Sequence, residues 1–316
     1  MSKGFSVLTT LVLVISGVSV FFISRALESK PVEEEAFLAP YTQPLINSAQ
    51  AYILPLSEPS YIPYLDSNVP RPRVDAKAAL VYDFRASKFL YQESINTRLP
   101  IASLTKIMSA VVVLEKLTQS NVVIIPKEAV HIDGSKQDLF AGEQLTVGKL
   151  LQMMLVGSSN DAASALAWYA QTQGIDFVAA MNEKAKALGM EGTHFLDPAG
   201  LNDTGYSTAS DLIKLVRATL RSRLIWDTLI EKELQIKSED GKTTHVIKNT
   251  DELLGVIPGI IGGKTGNTDG ALGCLILIVN LSQENDTIIS IVLGSRDRFG
   301  DTQKIVEWVK TAYKWQ

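Results

Sequence analysis

Eight of the chain's 12 prolines crowd into residues 26–72: Pro31, Pro40, Pro44, Pro55, Pro59, Pro63, Pro70 and Pro72. Proline lacks a backbone donor and fixes φ, so this density excludes continuous helix and central strand and leaves extended, semi-rigid chain. The acidic triplet Glu33-Glu34-Glu35 discourages burial of the same stretch. It reads as a linker, and a packed domain has to be assembled from about Arg73 onward. Tyr41, Tyr52, Tyr61 and Tyr64 are interspersed with the prolines, which leaves a partner-binding segment as the alternative.

The segment before the linker is apolar. No charged residue occurs from Gly4 to Ser24, and Phe5–Ile23 is mostly Val, Leu, Ile and Phe, bounded by Lys3 and Arg25. About 20 such residues cross a bilayer core. A cleaved signal has a shorter apolar centre, about 7–15 residues, and a small-x-small cleavage site. The nearest such site, Ser24-Arg25-Ala26, has an arginine in its middle. An uncleaved anchor over residues 1–25 is therefore preferred to a cleaved signal, and both to a buried core helix. Either of the first two exports the rest of the chain, so the expected location is the cell membrane, single-pass, with the main domain outside. Lys3 faces Arg25 and Lys30 across the run and orients it only weakly.

Composition removes several function classes. Thirty Lys+Arg against 34 Asp+Glu give a net charge of −4, which lacks the phosphate attraction of a nucleic-acid binder. With 46% hydrophobic and 20% charged residues, the chain is neither disordered nor coiled coil. One cysteine, Cys274, forms no intramolecular disulfide, and its apolar neighbours predict burial. His131, His194 and His245 are too scattered for a metal pair, so neither a metal nor a cofactor is expected.

Beyond Arg73 the pattern is globular. Ala79–Phe84 and Lys88–Gln92 read as strands joined by Arg85-Ala86-Ser87. Ile107, Val111, Leu114 and Leu117, with Ala110 and Val113, form a helical stripe. Further helices are expected over about Thr146–Val156, Asp161–Thr172 and Leu212–Leu220, the last opened by a Thr208/Asp211 capping box. Ile260–Lys264, Leu272–Val279 and Thr287–Leu293 read as an antiparallel set, and a closing helix as Thr302–Tyr313. Segregated helices and strands predict an α+β fold.

Three short motifs carry chemistry. Ser103-Leu104-Thr105-Lys106 opens the first helix, where positions three apart share a face and Lys106 can reach Ser103. Serine is a weak nucleophile until a neighbour takes its proton. An amine takes it only when neutral, which needs desolvation or nearby cations, and the positive end of the helix acts in the same direction. By itself this motif occurs by chance in many chains and is more often an N-cap serine followed by a surface lysine. Ser158-Ser159-Asn160 sits between the second and third helices and can offer a hydroxyl and an amide to a cleft. It can also be a polar turn capped by Asn160 or Asp161. Lys264-Thr265-Gly266 ends a strand whose glycines allow a substrate backbone to approach, and it can hold a carboxylate by charge and hydroxyl. Its alternative is an exposed strand end entering the turn Asn267-Thr268-Asp269-Gly270.

In this order and placement the motifs form the signature of penicillin-binding proteins and serine β-lactamases. The chain resembles the low-molecular-mass penicillin-binding proteins, the serine-type D-alanyl-D-alanine carboxypeptidases, over about residues 73–316. Supporting segments are Leu99-Pro100-Ile101-Ala102-Ser103, Leu155-Val156-Gly157-Ser158, Asp197-Pro198-Ala199-Gly200-Leu201, Tyr206-Ser207-Thr208-Ala209-Ser210-Asp211 and Asn249-Thr250-Asp251-Glu252-Leu253-Leu254.

The resemblance implies a penicillin-recognising fold, like that of serine transpeptidases and β-lactamases. In it an antiparallel sheet is covered by helices, with a mainly helical subdomain and the site between them. It implies removal of the terminal D-alanine from peptidoglycan stem pentapeptides through an acyl-enzyme, with β-lactams as covalent inhibitors. Carried over, Ser103 is the nucleophile and Lys106 its base. Ser158 relays a proton to the leaving D-alanine, and Asn160 positions Lys106 and the substrate amide. Lys264, Thr265 and Gly266 line the carboxylate end, and the backbone N–H groups of Ser103 and Asn267 form the oxyanion hole. Arg298 sits where the family often binds the carboxylate, or else is a solvated loop cation beside Asp297. Many relatives add a C-terminal β-rich domain and membrane helix, so anchoring here is expected from the N-terminus. A DD-endopeptidase, a β-lactamase and a silent wall-binding protein are the rivals. The Glu-x-x-Leu-Asn segment of class A β-lactamases is missing between Asn160 and Lys264.

Overall fold

The computed structural model describes residues 62–315 apart from residues 131, 133–138, 221 and 282–285. The expected anchor, the linker before residue 62 and His131 lie outside the described residues. Among the described residues no helix is long and apolar enough to cross a membrane.

In chain order the strands are β1 (Tyr64–Leu65), β2 (Ala78–Asp83), β3 (Lys88–Glu93), β4 (Val122–Ile124), β5 (Gln144–Thr146), β6 (Glu233–Lys237), β7 (Thr244–Lys248), β8 (Ile260–Thr268), β9 (Leu272–Leu281), β10 (Asp286–Ser295) and β11 (Tyr313–Lys314). The helices are α1 (Thr105–Lys116), α2 (Val147–Val156), α3 (Asn160–Thr172), α4 (Phe177–Ala187), α5 (Ala209–Thr219), α6 (Arg223–Leu229) and α7 (Arg298–Ala312). The main sheet runs β3-β2-β10-β9-β8 with every pairing antiparallel. β9 and β10 are nearly continuous apolar runs because both their faces are covered. Leu275, Leu277, Val279, Ile288 and Val292 pack with Ile305, Val306 and Val309 of α7. Cys274, Ile276, Ile278, Ile289 and Ile291 face the opposite layer, with Ile107, Leu150 and Leu212. Helices thus cover both faces of one antiparallel sheet, the α+β layering expected.

Several boundaries differ from expectation, each for a local reason. Ser159 rather than Asn160 or Asp161 caps α3, its hydroxyl accepting from Ala162 N at 3.1 Å. The capping box before α5 is half formed. Thr208 Oγ1 accepts from Asp211 N at 3.0 Å, but Asp211 Oδ2 turns to Gly192 N and Thr193 Oγ1. That hydroxyl cap starts α5 at Ala209. The closing helix begins at Arg298 instead of Thr302, because Asp297 Oδ1 accepts from Gly300 N at 2.9 Å. The end of the expected linker is packed: β1 pairs with β11, and Arg71 donates to Gln92 O at 2.7 Å while stacking on Tyr91. Proline suits such a two-residue edge strand. The β6–β7 hairpin and helices α4 and α6 lie outside the elements expected from the sequence.

Ile276 is fully buried at the centre of the sheet. Ile276→Ala should lower unfolding free energy by about 2–5 kcal/mol, read as an earlier urea midpoint at unchanged slope.

Candidate active site

Ser103 lies in the 3-10 turn Ala102–Leu104 that leads into α1, after Ala102 at φ 46°. An L-residue in the left-handed region is sparsely populated and persists only where packing enforces it. Here β8 presses against the turn. A Cβ on Gly266 would stand 2.9 Å from Ile101 O and 3.1 Å from Ser103 N. Glycine at 266 therefore brings the free edge of the sheet onto the Ser103 backbone. Asn267, the next residue, is exposed at the end of that edge.

Lys106, the second residue of α1, has no exposed surface. Its Nζ is 2.7 Å from Ser103 Oγ, 2.7 Å from Asn160 Oδ1 and 2.9 Å from Ala199 O. The last two carry no proton, so a neutral amine spends both N–H bonds on them and turns its lone pair to the Ser103 hydroxyl. Burial drives the Lys106 pKa well below the ordinary lysine value, the Lys264 charge adds to that, and Asp197 opposes it.

Ser158, at φ 58°, occupies the corner between α2 and α3. Gly157 before it has no room for a side chain, since a Cβ would meet Ile247 Cγ2 at 2.6 Å. Lys264 Nζ, on β8, donates to Ser158 Oγ at 2.8 Å and to Thr265 O at 3.1 Å. Burial lowers the Lys264 pKa to about 7, with Asp251 resisting and Arg298 reinforcing the fall. Near neutral pH this lysine is poised between charged and neutral, and it is joined to Ser158 by one hydrogen bond.

The other end of the cleft is built to meet an anion. Thr265 Oγ1 and Thr250 Oγ1 lie 2.5 Å apart. Arg298, half-buried at the start of α7, stacks on Phe299 at 4.4 Å and has an Nε without a hydrogen-bond partner. It is a helix residue, not a solvated loop cation. Ser103, Ser158, Asn160, Thr265, Asn267 and Arg298 line one open cleft of about 600 Å³. All the site residues singled out by sequence converge on this region. Sequence reasoning gave no role to Thr250 or to the Ala199 carbonyl. Thr250 stood in a recognised segment, whereas a backbone oxygen has no residue-type signal. No metal-holding cluster of His, Cys, Asp or Glu occurs among the described residues.

Such a cleft can form an ester on Ser103, using a neutral amine as base, with an anionic acyl donor held at the arginine end. The chain matches the sequence profile described as D-alanyl-D-alanine carboxypeptidase over residues 66–297. It is 31% identical over 249 residues to D-alanyl-D-alanine carboxypeptidase DacF of Bacillus subtilis, a match covering 76% of this chain and 63% of that protein. The chain thus spans less than two thirds of that relative's length. A D-alanyl-D-alanine endopeptidase of Pseudomonas aeruginosa is 33% identical over 245 residues, 74% of this chain and 77% of the relative. Among solved structures, a Streptomyces DD-transpeptidase superposes with a TM-score of 0.70 at 30% identity, covering 77% of this chain and 100% of the other.

Gly266→Ala should push β8 off the Ser103 turn. With the fold intact by circular dichroism, labelling of Ser103 by a serine-directed acylating reagent should slow about 100-fold.

Proposed function

The chain belongs to the D-alanyl-D-alanine carboxypeptidase family, and from that premise we propose that it removes the terminal D-alanine from peptidoglycan stem pentapeptides through an acyl-enzyme on Ser103. The observation that carries this reading is the 2.7 Å approach of a fully buried Lys106 Nζ to Ser103 Oγ. Ser103 Oγ bonds to the carbonyl carbon of the penultimate D-alanine while its proton passes to Lys106. The carbonyl oxygen becomes an oxyanion facing the backbone N–H groups of Ser103 and Asn267. Asn160 keeps the amine in place. Ser158, hydrogen-bonded to Lys264, relays the proton that Lys106 took up to the departing amine as the C–N bond breaks, which returns Lys106 to its neutral form. Thr265, with Arg298 and Lys264, receives the terminal carboxylate. Water then hydrolyses the ester and restores Ser103.

β-Lactams should acylate the same serine and leave slowly. No glutamate lines the cleft among the described residues. Of its carboxylates, Asp203 is engaged by Thr268 Oγ1 and Gly270 N, and Asp269 is exposed. Neither is free and buried in the way that activates a deacylating water. Endopeptidase action on cross-links is the second reading, favoured by the relative that bears that name. Incubating the protein with a pentapeptide and with a cross-linked muropeptide dimer separates the two. Free D-alanine from the pentapeptide at the higher rate is expected. Labelled penicillin should add one adduct, on the peptide carrying Ser103, absent in Ser103→Ala. In Lys106→Arg the adduct should form about 100-fold or more slowly, since arginine stays protonated. An unchanged rate would remove the base role.

We also place the uncharged run of residues 4–24 in the membrane, with the catalytic domain outside. Its length and the poor cleavage site support an anchor. Fractionation should leave the full chain in the membrane pellet. A soluble protein whose N-terminal sequence starts near Ala26 would mean cleavage instead.

A further inference from the structure

A carboxylate reaches the Lys106 amine through a single peptide group. Asp197 Oδ1 accepts from Ala199 N at 2.7 Å, Gly200 N at 2.6 Å and Leu201 N at 3.2 Å, and Oδ2 accepts from Asn202 N at 2.8 Å. The Gly200 N–H belongs to the same peptide unit as the Ala199 carbonyl, and that carbonyl is the acceptor 2.9 Å from Lys106 Nζ. One peptide plane therefore has an anion at its donor end and the amine at its acceptor end. Hydrogen bonds linked in this way polarise one another, so the carboxylate makes the carbonyl a stronger acceptor.

The plane has little freedom to turn. Gly200 adopts φ +78°, and a Cβ there would lie 2.0 Å from Ala102 O, directly beneath the Ser103 turn. On the other side Ser109 Oγ donates to Pro198 O at 2.6 Å. Uncharged groups facing the amine are Ser103 and Asn160 from the helices and Ala199 from the loop. The charged groups acting on it are Lys264 of β8, which disfavours its protonated form, and Asp197, which favours it.

We propose that Asp197 is a positioning residue for the acylation step: through the Ala199–Gly200 peptide it holds the Lys106 amine against Ser103 and supplies the counter-charge for the proton that amine takes up. The proposal rests on the reading of Ser103 as nucleophile and Lys106 as its base. As Ser103 Oγ forms its bond to the carbonyl carbon, the proton arriving on Nζ creates an ammonium in a buried site that also holds Lys264. Without Asp197, the formal charge left acting on the new ammonium among the described residues would be the repulsive one of Lys264.

Asp197→Asn keeps the size and one acceptor oxygen and removes the charge. Lys106 is monitored by NMR on carbon-labelled lysine, assigned with Lys106→Arg, and acylation by labelled penicillin is measured across pH. In Asp197→Asn the Lys106 titration midpoint and the acid limb of the acylation profile should both move to lower pH by about one unit. The plateau rate should fall about tenfold. Asp197→Glu, which keeps the charge and displaces it, should slow acylation with the midpoint nearly unmoved. If Asp197→Asn gives no folded protein, Asp197→Gln compared with Asp197→Glu isolates charge at equal size, with the lower midpoint expected in Gln. A slower reaction with an unshifted midpoint in the uncharged variant, or an equal shift in the Glu variant, overturns the proposal and leaves Asp197 a loop-folding residue. Failure of the wild type to acylate at Ser103 would overturn the parent reading instead, and the NMR titration needs no turnover.

Discussion

The arrangement of this site is a consequence of burying the amine of Lys106 completely. A lysine removed from water loses its hydration shell, and a buried polar group without partners costs several kcal/mol. Its three partners come from three separate places: the turn before α1, the N-terminus of α3 and the loop after α4. The amine is thus a tie between elements as well as the proposed base. The charge that burial makes expensive is also the charge that must be absent for the amine to accept a proton. Stability and reactivity are set by the same desolvation.

A second lysine makes the first intelligible. Lys264 is also buried, and its charge further disfavours a proton on Lys106. Two like charges close together in a water-poor site cannot both form cheaply, so the pair divides roles by environment. Lys264 has Asp251 resisting the loss of its proton and settles at about 7. For Lys106, burial and the Lys264 charge both act against the proton and favour the neutral form. In the proposed mechanism Ser158 is then a hydroxyl joined to a lysine that titrates near neutrality, while Ser103 is a hydroxyl beside the more deeply desolvated amine.

These groups can be placed tightly because the frame under them is stiff. β9 and β10 are buried on both faces, and β8 takes its position from β9. Of the five described non-glycine residues at positive φ, two stand at the cleft, Ala102 before Ser103 and Ser158 itself. Conformations of this kind cost about 1–3 kcal/mol each and survive where surrounding contacts over-determine them. The contacts here are β8 against the Ala102–Leu104 turn and Ile247 of the β6–β7 hairpin against Gly157.

Much of this was legible in the chain. The apolar runs of β9 and β10, the stripe of α1 and the Thr208 cap each announce an element, because periodicity and capping are local. The three motifs announced the chemistry for the same reason: hydroxyl, amine and amide are properties of residue types. Where local signals compete, the reading slipped by a turn, as at α7, whose start was set by Asp297 reaching Gly300 N. The hairpin β6–β7 alternates over only five residues in each strand, too short a run to stand out from its surroundings. What the sequence determined by itself was therefore the layered α+β frame and which residue types stand as candidates in the cleft. Only the tertiary structure decided their protonation and partners. The Lys106 pKa is driven down by burial no single residue carries, and its third partner is a main-chain oxygen 93 positions away. Such an oxygen exists in every residue, so only the folded path of the chain can select one.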